Sequence, residues 1–194
     1  MGPKENYGLI GAKQFCILVN EGLREQHYLL DIGCGSIRGG KFFISYLQEG
    51  HYFGLEPNSD LVNDGITKEL TEYYVLVQKK AHFWFDGSFS LLSFPNKPLV
   101  FDFILAQSIF SHTSRAQTEK CVRQARLLMN KGSKFLGTWF NGPHNWEKEG
   151  WKPGSVVTRP QTYLAKVAED NGLSFTRLQY KHPSGQTWFR MRVK

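Results

Sequence analysis

The 194-residue chain has little that would staple or anchor it. Its three cysteines, Cys16, Cys34 and Cys121, are scattered, odd in number and without a CxxC pair, which argues against a disulfide framework and a zinc site. HExxH and HxxxH spacings are missing as well, so no metal is expected. No apolar run nears the roughly 20 residues that span a bilayer. Residues 1–6, MGPKEN, hold neither a signal-peptide apolar stretch nor the Ser or Thr of a myristoylation signal. A cytoplasmic protein with no membrane partner is expected. Repeats, low-complexity tracts and interdomain linkers are absent, and the length suits one domain. Acid is in short supply: 17 Asp and Glu against 24 Lys and Arg give a net charge of +7. That balance permits a nucleic-acid partner, but the basic residues are dispersed and read as solvated surface.

Hydrophobic periodicity divides what is present into alternating helices and strands. Helical spacing of Phe15, Leu18, Val19 and Leu23 predicts an amphipathic helix at 13–21, with Gly22 as its stop. Short apolar runs predict strands at 28–32, 52–55, 81–85 and 101–106, with helices at 37–47 and 59–70 between the first three. Ser114-Arg115-Ala116-Gln117 spells a capping box. It opens a helix whose stripe Cys121, Val122, Ala125, Leu128 and Met129 faces inward. A strand at 134–140, a helix at 160–170 and strands at 173–180 and 186–193 follow, the last two joined by the turn signal His182-Pro183-Ser184-Gly185. Alternation of this kind implies a mainly parallel sheet covered on both faces, closed by one antiparallel strand.

Leu29 to Gly40, LLDIGCGSIRGG, is the most informative stretch. Ligands of open α/β sheets gather beyond the carboxyl ends of the strands, where this glycine turn lies. The spacing Gly33-x-Gly35-x-x-x-Gly39 departs from the GxGxxG of dinucleotide sites. Asp31 at its mouth would repel a pyrophosphate and attract an ammonium or sulfonium. Glu56, past the second strand, can accept two hydrogen bonds from a ribose diol, and Asp86, past the third, one from an adenine amino group. Acids at three successive strand ends describe a ligand with a ribose, a base and positive charge. S-adenosylmethionine meets that description; NAD and ATP do not. Each residue alone also has a plain reading: Asp31 as a local amide cap, Glu56 as a loop-end acid, Cys34 as a small packing residue.

On LLDIGCGSIRGG, YFGLEPNSDLV, WFDGSF, FDFILAQSIFSHTS and HPSGQTWFRMRV, which cover most of the chain from Leu29 to Val193, the sequence resembles the class I S-adenosylmethionine-dependent methyltransferases of the broad group that modifies small molecules. The resemblance implies an α/β, Rossmann-like, doubly wound sheet of seven strands in the order 3-2-1-4-5-7-6, the seventh antiparallel. An N-terminal helical segment, 1–27, would cover the site of a 28–194 core. Asp31, Gly33, Cys34 and Gly35 would surround the methionine part of the cofactor, with Ser36 as the family's small polar residue after the second glycine. Glu56 would take the ribose hydroxyls, with Pro57 and Asn58 beside it. Asp86 and Gly87 would border the adenine, although FWFDGSFSLLSF is more aromatic there than the common pattern. Gln107 and Ser108 would lie under the transferable methyl.

Methyl transfer is an in-line displacement at an activated carbon, so alignment and water exclusion dominate and a base is optional. His112, in SIFSHTSR, is the candidate base and His144 the second; helix capping or passive lining is the other reading of His112. Residues 141–160 are long for a connection in a compact domain and hold Trp146 and Trp151. With Trp139 and Phe140 just upstream they are expected to bind the acceptor as a lid, the Tyr7 to Phe15 region forming the other wall. A surface loop whose tryptophans pack on neighbouring helices is the plain alternative. The expected reaction is methyl transfer to an oxygen or nitrogen of a small molecule. The alternatives are a nucleic-acid or protein methyltransferase, for which an NPPY-type tetrapeptide is missing, and a non-catalytic adenosyl-binding protein.

Overall fold

A computed structural model gives residues 6–146, 148–152 and 156–194. Residues 1–5 of the expected N-terminal cover, and 147 and 153–155 of the expected lid, lie outside the described residues. The chain falls into two compact units, Met1–Gly87 and Ser88–Lys194.

In the first unit, helix α1 (Tyr7–Asn20) precedes strand β1 (Leu29–Ile32), helix α2 (Gly40–Tyr46), strand β2 (Tyr52–Leu55), helix α3 (Ser59–Glu69) and strand β3 (His82–Trp84). The three strands pair in parallel, with Asp31 opposite Gly54 and Leu55 opposite Trp84. β1 and β2 are buried along their whole length, as near-continuous apolar runs in a parallel sheet should be. α1 begins six residues before the expected start at 13, because its first turns rest on the glycine turn instead of presenting an apolar stripe. α2 is shorter than expected: residues 36–39 are held in turns, with Ile37 at φ 49°. A π-helical turn at Tyr73–Gln78 has no counterpart in the periodicity reading. Its sequence YYVLVQ fits neither period, and only Val75 of the six is buried.

The second unit holds strand β4 (Phe103–Ala106), helix α4 (Arg115–Leu127), strands β5 (Lys134–Asn141) and β6 (Thr158–Arg159), helix α5 (Gln161–Asp170) and strands β7 (Leu173–Lys181) and β8 (Thr187–Val193). Both hydrogen bonds of the capping box at Ser114 and Gln117 form, and Cys121, Val122, Ala125, Leu128 and Met129 are buried as their spacing requires. β5 runs parallel to β4, and β8 runs antiparallel to both β5 and β7. The core is aromatic: Trp139 lies 5.8 Å from Phe175 and 6.0 Å from Phe189 between ring centroids.

The strand order is β3-β2-β1-β4-β5-β8-β7, with β6 beside β5. Once the two-residue β6 is set aside, this is the expected seven-strand order, with the chain's last strand antiparallel. Among the described residues no helix is long and apolar enough to cross a membrane, and no group of three or more His, Cys, Asp or Glu could hold a metal ion.

Candidate functional site

The glycine turn after β1 is clasped on most sides. A Cβ on Gly65 of α3 would lie 2.3 Å from the Ser36 carbonyl oxygen, and one on Gly11 of α1 2.3 Å from that of Arg38. Glycine at these helix positions is therefore a condition of the turn's seat. Gly65→Ala should cost about 1–3 kcal/mol from overpacking alone, measurable by urea denaturation. Tyr7, expected on an acceptor wall, instead reaches the turn from α1: its hydroxyl lies 2.9 Å from Ser36 Oγ and 3.1 Å from the Ser36 carbonyl, to which it donates. At Gly35 the turn is open. That residue has φ 56°, and a Cβ there would meet nothing nearer than the Gly33 oxygen at 4.0 Å.

Acids border this opening. Asp31 is only 4% exposed and accepts a 2.9 Å hydrogen bond from the Tyr52 hydroxyl. Burial pushes its carboxyl up to about 7; the Tyr52 bond and the Arg38 cation pull the other way, and Glu56 adds to the rise. Glu56 is half-buried. Its Oε2 accepts from the Gly35 amide and its Oε1 from the Asn58 amide, each at 3.2 Å. Burial raises its carboxyl and those two amides oppose the rise. Asn58 caps α3, accepting from the Leu61 amide. Cys34 is buried, and its thiol is driven well above its ordinary value first by burial and then by Asp31 and Glu56, which makes it a packing group and not a nucleophile. At the third strand tip the Glu56 amide donates to the Trp84 carbonyl, and a Cβ on exposed Gly87 would lie 3.4 Å from Pro57. Asp86, half-buried, directly precedes Gly87.

In the second unit, Gln107 and Ser108 follow β4 and enter a polar cluster with three side chains that the sequence reading missed, Thr138, His182 and Gln186. The Ser108 amide donates to Thr138 Oγ1 at 2.8 Å, Thr138 donates to Gln186 Oε1 at 2.6 Å, and Gln186 Nε2 donates to Ser108 Oγ at 2.7 Å. The Gln107 carboxamide lies 2.5 Å from Ser108 Oγ and 2.9 Å from His182 Nε2. Because His182 Nδ1 accepts from the Ser184 amide, the neutral ring carries its proton on Nε2. Gln107 Nε2 donates to Ser108 Oγ and lies beside His182 Nε2, tying the two ends of the cluster together. Ser108 has φ 60°, a strained conformation for serine that this cluster holds in place.

The histidines separate. His144 Nε2 accepts from Arg115 Nε at 2.8 Å, so its lone pair is engaged by a guanidinium. His112 stacks on Trp151, 5.0 Å between centroids at 24°, and its Nδ1 lies 3.4 Å from the Lys152 carbonyl. A carbonyl can only accept, so this contact places the proton on Nδ1 and the lone pair on Nε2, the form a base needs. Trp151 is 45% exposed. Trp146 is half-buried, with the Lys152 ammonium 5.0 Å from its ring centroid.

Trp139 is a correction. It is 1% exposed, packed in the aromatic core, and its indole N–H donates to the Arg159 carbonyl at 3.1 Å, so it presents no surface to an acceptor. Neighbours on a strand point to opposite faces, so Phe140 shares the face of Thr138 while Trp139 turns into the core.

No protein-family profile matches the chain. Solved structures do resemble it. Magnesium protoporphyrin IX methyltransferase (ChlM) from Synechocystis PCC 6803, solved with SAM bound, aligns over 97% of this chain and 80% of its own at 12% identity and a TM-score of 0.69. DesVI of Streptomyces venezuelae aligns over 98% and 93% at 15% identity, TM-score 0.68. The CcbJ methyltransferase of Streptomyces caelestis aligns over 100% and 97% at 14% identity, TM-score 0.67. Strand order and these likenesses together give the chain the fold of the class I S-adenosylmethionine-dependent methyltransferases.

Proposed function

We propose that the chain is a methyltransferase that takes S-adenosylmethionine as its methyl donor and an oxygen or nitrogen of a small molecule as its acceptor. The observation that carries this reading is the acidic rim of the first unit: Asp31, Glu56 and Asp86 in or just after three adjacent parallel strands, around a turn open at Gly35. The charge of the chain supports it. Residues 1–87 hold 11 Asp and Glu against 8 Lys and Arg, so the basic excess lies wholly in residues 88–194, with 16 Lys and Arg against 6 acids. A net acidic unit suits a cationic nucleoside and repels a polyphosphate.

The donor set fits the group. Asp31 would face its positive charge, Glu56 its ribose hydroxyls, and Pro57, Asp86 and Gly87 its base, while Gly33, Cys34, Gly35 and Ser36 supply backbone. When bound, S-adenosylmethionine supplies a methyl carbon already activated by its sulfonium leaving group. Gln107 and Ser108 shape the end of β4, and His112 Nε2 accepts the proton of an acceptor hydroxyl or amine. Trp151, stacked on the His112 ring, would contact the acceptor together with Trp146 and Phe140. ChlM, a methyltransferase of magnesium protoporphyrin IX by its name, is consistent with a small-molecule acceptor.

Calorimetric titration with S-adenosylmethionine, S-adenosylhomocysteine, NAD and ATP tests the reading. The two adenosyl compounds should bind and the two polyphosphates should not. Glu56→Ala should weaken adenosyl binding about 10- to 1000-fold, the equivalent of one or two charge-assisted hydrogen bonds. Binding of NAD or ATP in preference would overturn the proposal. The basic second unit favours one other acceptor class, nucleic acid. Binding that falls steeply and linearly in log affinity against log salt would select it over a small molecule.

A further inference from the structure

We infer that Arg159 is a positioning residue for the acceptor side of the reaction: its buried guanidinium straps the loop that carries His112. This rests on the methyltransferase reading for its purpose, though not for its geometry.

The loop between β4 and α4 offers four consecutive carbonyls, Phe110 to Thr113, and each is taken by a donor from Lys152, Val157 or Arg159. Arg159 Nη1 donates to Phe110 O at 3.2 Å and Arg159 Nη2 donates to Thr113 O. Between them, the Val157 amide donates to Ser111 O and the Lys152 amide to His112 O, both at 2.7 Å. Arg159 is 1% exposed, and its own carbonyl is fixed by the Trp139 indole and the Gly142 amide. The planar fork puts its donors on two separate nitrogens and so spans two carbonyls three residues apart; a lysine holds its three donors on one nitrogen and cannot spread them that way. Phe110 and Thr113 are both buried, so losing the fork strands acceptors that water cannot easily reach.

The consequence falls on His112. Its carbonyl and its Nδ1 both face Lys152, and its ring rests on Trp151. Ring, lysine backbone and tryptophan therefore move as one piece, and the strap fixes that piece to β6, which pairs with the end of β5.

The test uses the full chain and two variants, Arg159→Lys and Arg159→Met. The first readout is the NMR signal of the His112 ring, which Trp151 shifts by its ring current; Trp151→Ala supplies the unstacked reference. The second is hydrogen exchange at the Lys152 and Val157 amides. In both variants the His112 signals should move toward the reference, less in Lys than in Met. The two amides should exchange about tenfold faster or more, while affinity for S-adenosylhomocysteine stays within about twofold of native. Once an acceptor is known, kcat should fall further than cofactor KM rises, with partial recovery in Lys. Unchanged His112 signals and exchange in a folded variant would overturn the inference. So would fast, loop-like exchange of both amides in the native chain, a result that needs no variant to fold. Failure of the native chain to bind any adenosyl compound would instead strike the methyltransferase proposal and leave these readouts standing.

Discussion

Asp31→Asn should make the ligand-free protein more stable at pH 8 while stripping it of most of its affinity for S-adenosylmethionine. Burial holds the Asp31 carboxyl at about 7 against an ordinary 3.8. A group whose folded value is raised contributes its full stability below the unfolded value and loses it as pH climbs through the folded one. The native fold therefore surrenders stability between pH 4 and 7, on the order of 4 kcal/mol from this group at about 1.4 kcal/mol per pH unit. Asparagine has no charge to bury, and its oxygen still accepts the Tyr52 hydroxyl, so that buried donor keeps its partner. Urea denaturation across pH should show the variant's advantage open above pH 4, grow to pH 7 and then level. An advantage that ignored pH, or a variant weaker than native at pH 8, would mean that Asp31 is a structural group whose charge is already compensated.

Such a cost is tolerable where the charge has a use. A bound cation stabilises the carboxylate, so native affinity for the cofactor should fall as pH drops below 7, by up to about tenfold per unit. The Asn variant should lose that slope along with the affinity. The two halves of the prediction share one cause, and calorimetry at pH 6 and 8 on both proteins separates it from any general damage to the turn.

The individual strands and the acids at their ends were readable because they depend on local patterns: buried apolar runs, a capping box at Ser114, a turn signal at His182 to Gly185; the order of the strands came from the family resemblance. What stayed hidden depends on partners distant in sequence. Tyr52 reads as an ordinary apolar strand residue, and only the reach of its hydroxyl to Asp31 reveals that it holds the buried carboxyl. Gly11 and Gly65 read as weak points in helices until the turn they admit is seen. Thr138 lies in a strand taken for core, Gln186 at the start of a strand and His182 in a turn, yet Thr138 and Gln186 meet Ser108 and His182 meets Gln107. The two aromatic residues at the end of β5 show the limit most plainly. Trp139 and Phe140 are equally apolar in sequence, and only the register of the strand, with Thr138 on one face, decides that Trp139 belongs to the core.

His112→Ala should lower turnover about 10²- to 10⁴-fold, the range for a positioned general base, while leaving adenosyl affinity unaltered. The argument runs from proton positions. Nδ1 faces the Lys152 carbonyl, which leaves Nε2 as the ring atom to exchange a proton with the acceptor, whereas His144 Nε2 accepts from Arg115. Trp151 holds the ring by stacking at 24°, so this contact helps to set the orientation of Nε2. A labelled-methyl assay on fractionated metabolites would first supply the acceptor, after which His112→Ala, His112→Gln and His144→Ala can be compared. Glutamine retains a polar end but takes no proton, so it should be as slow as alanine, and His144→Ala should stay within about threefold of native. Turnover within threefold of native in both His112 variants would show that alignment alone carries the transfer, which the chemistry allows when the acceptor is already a good nucleophile.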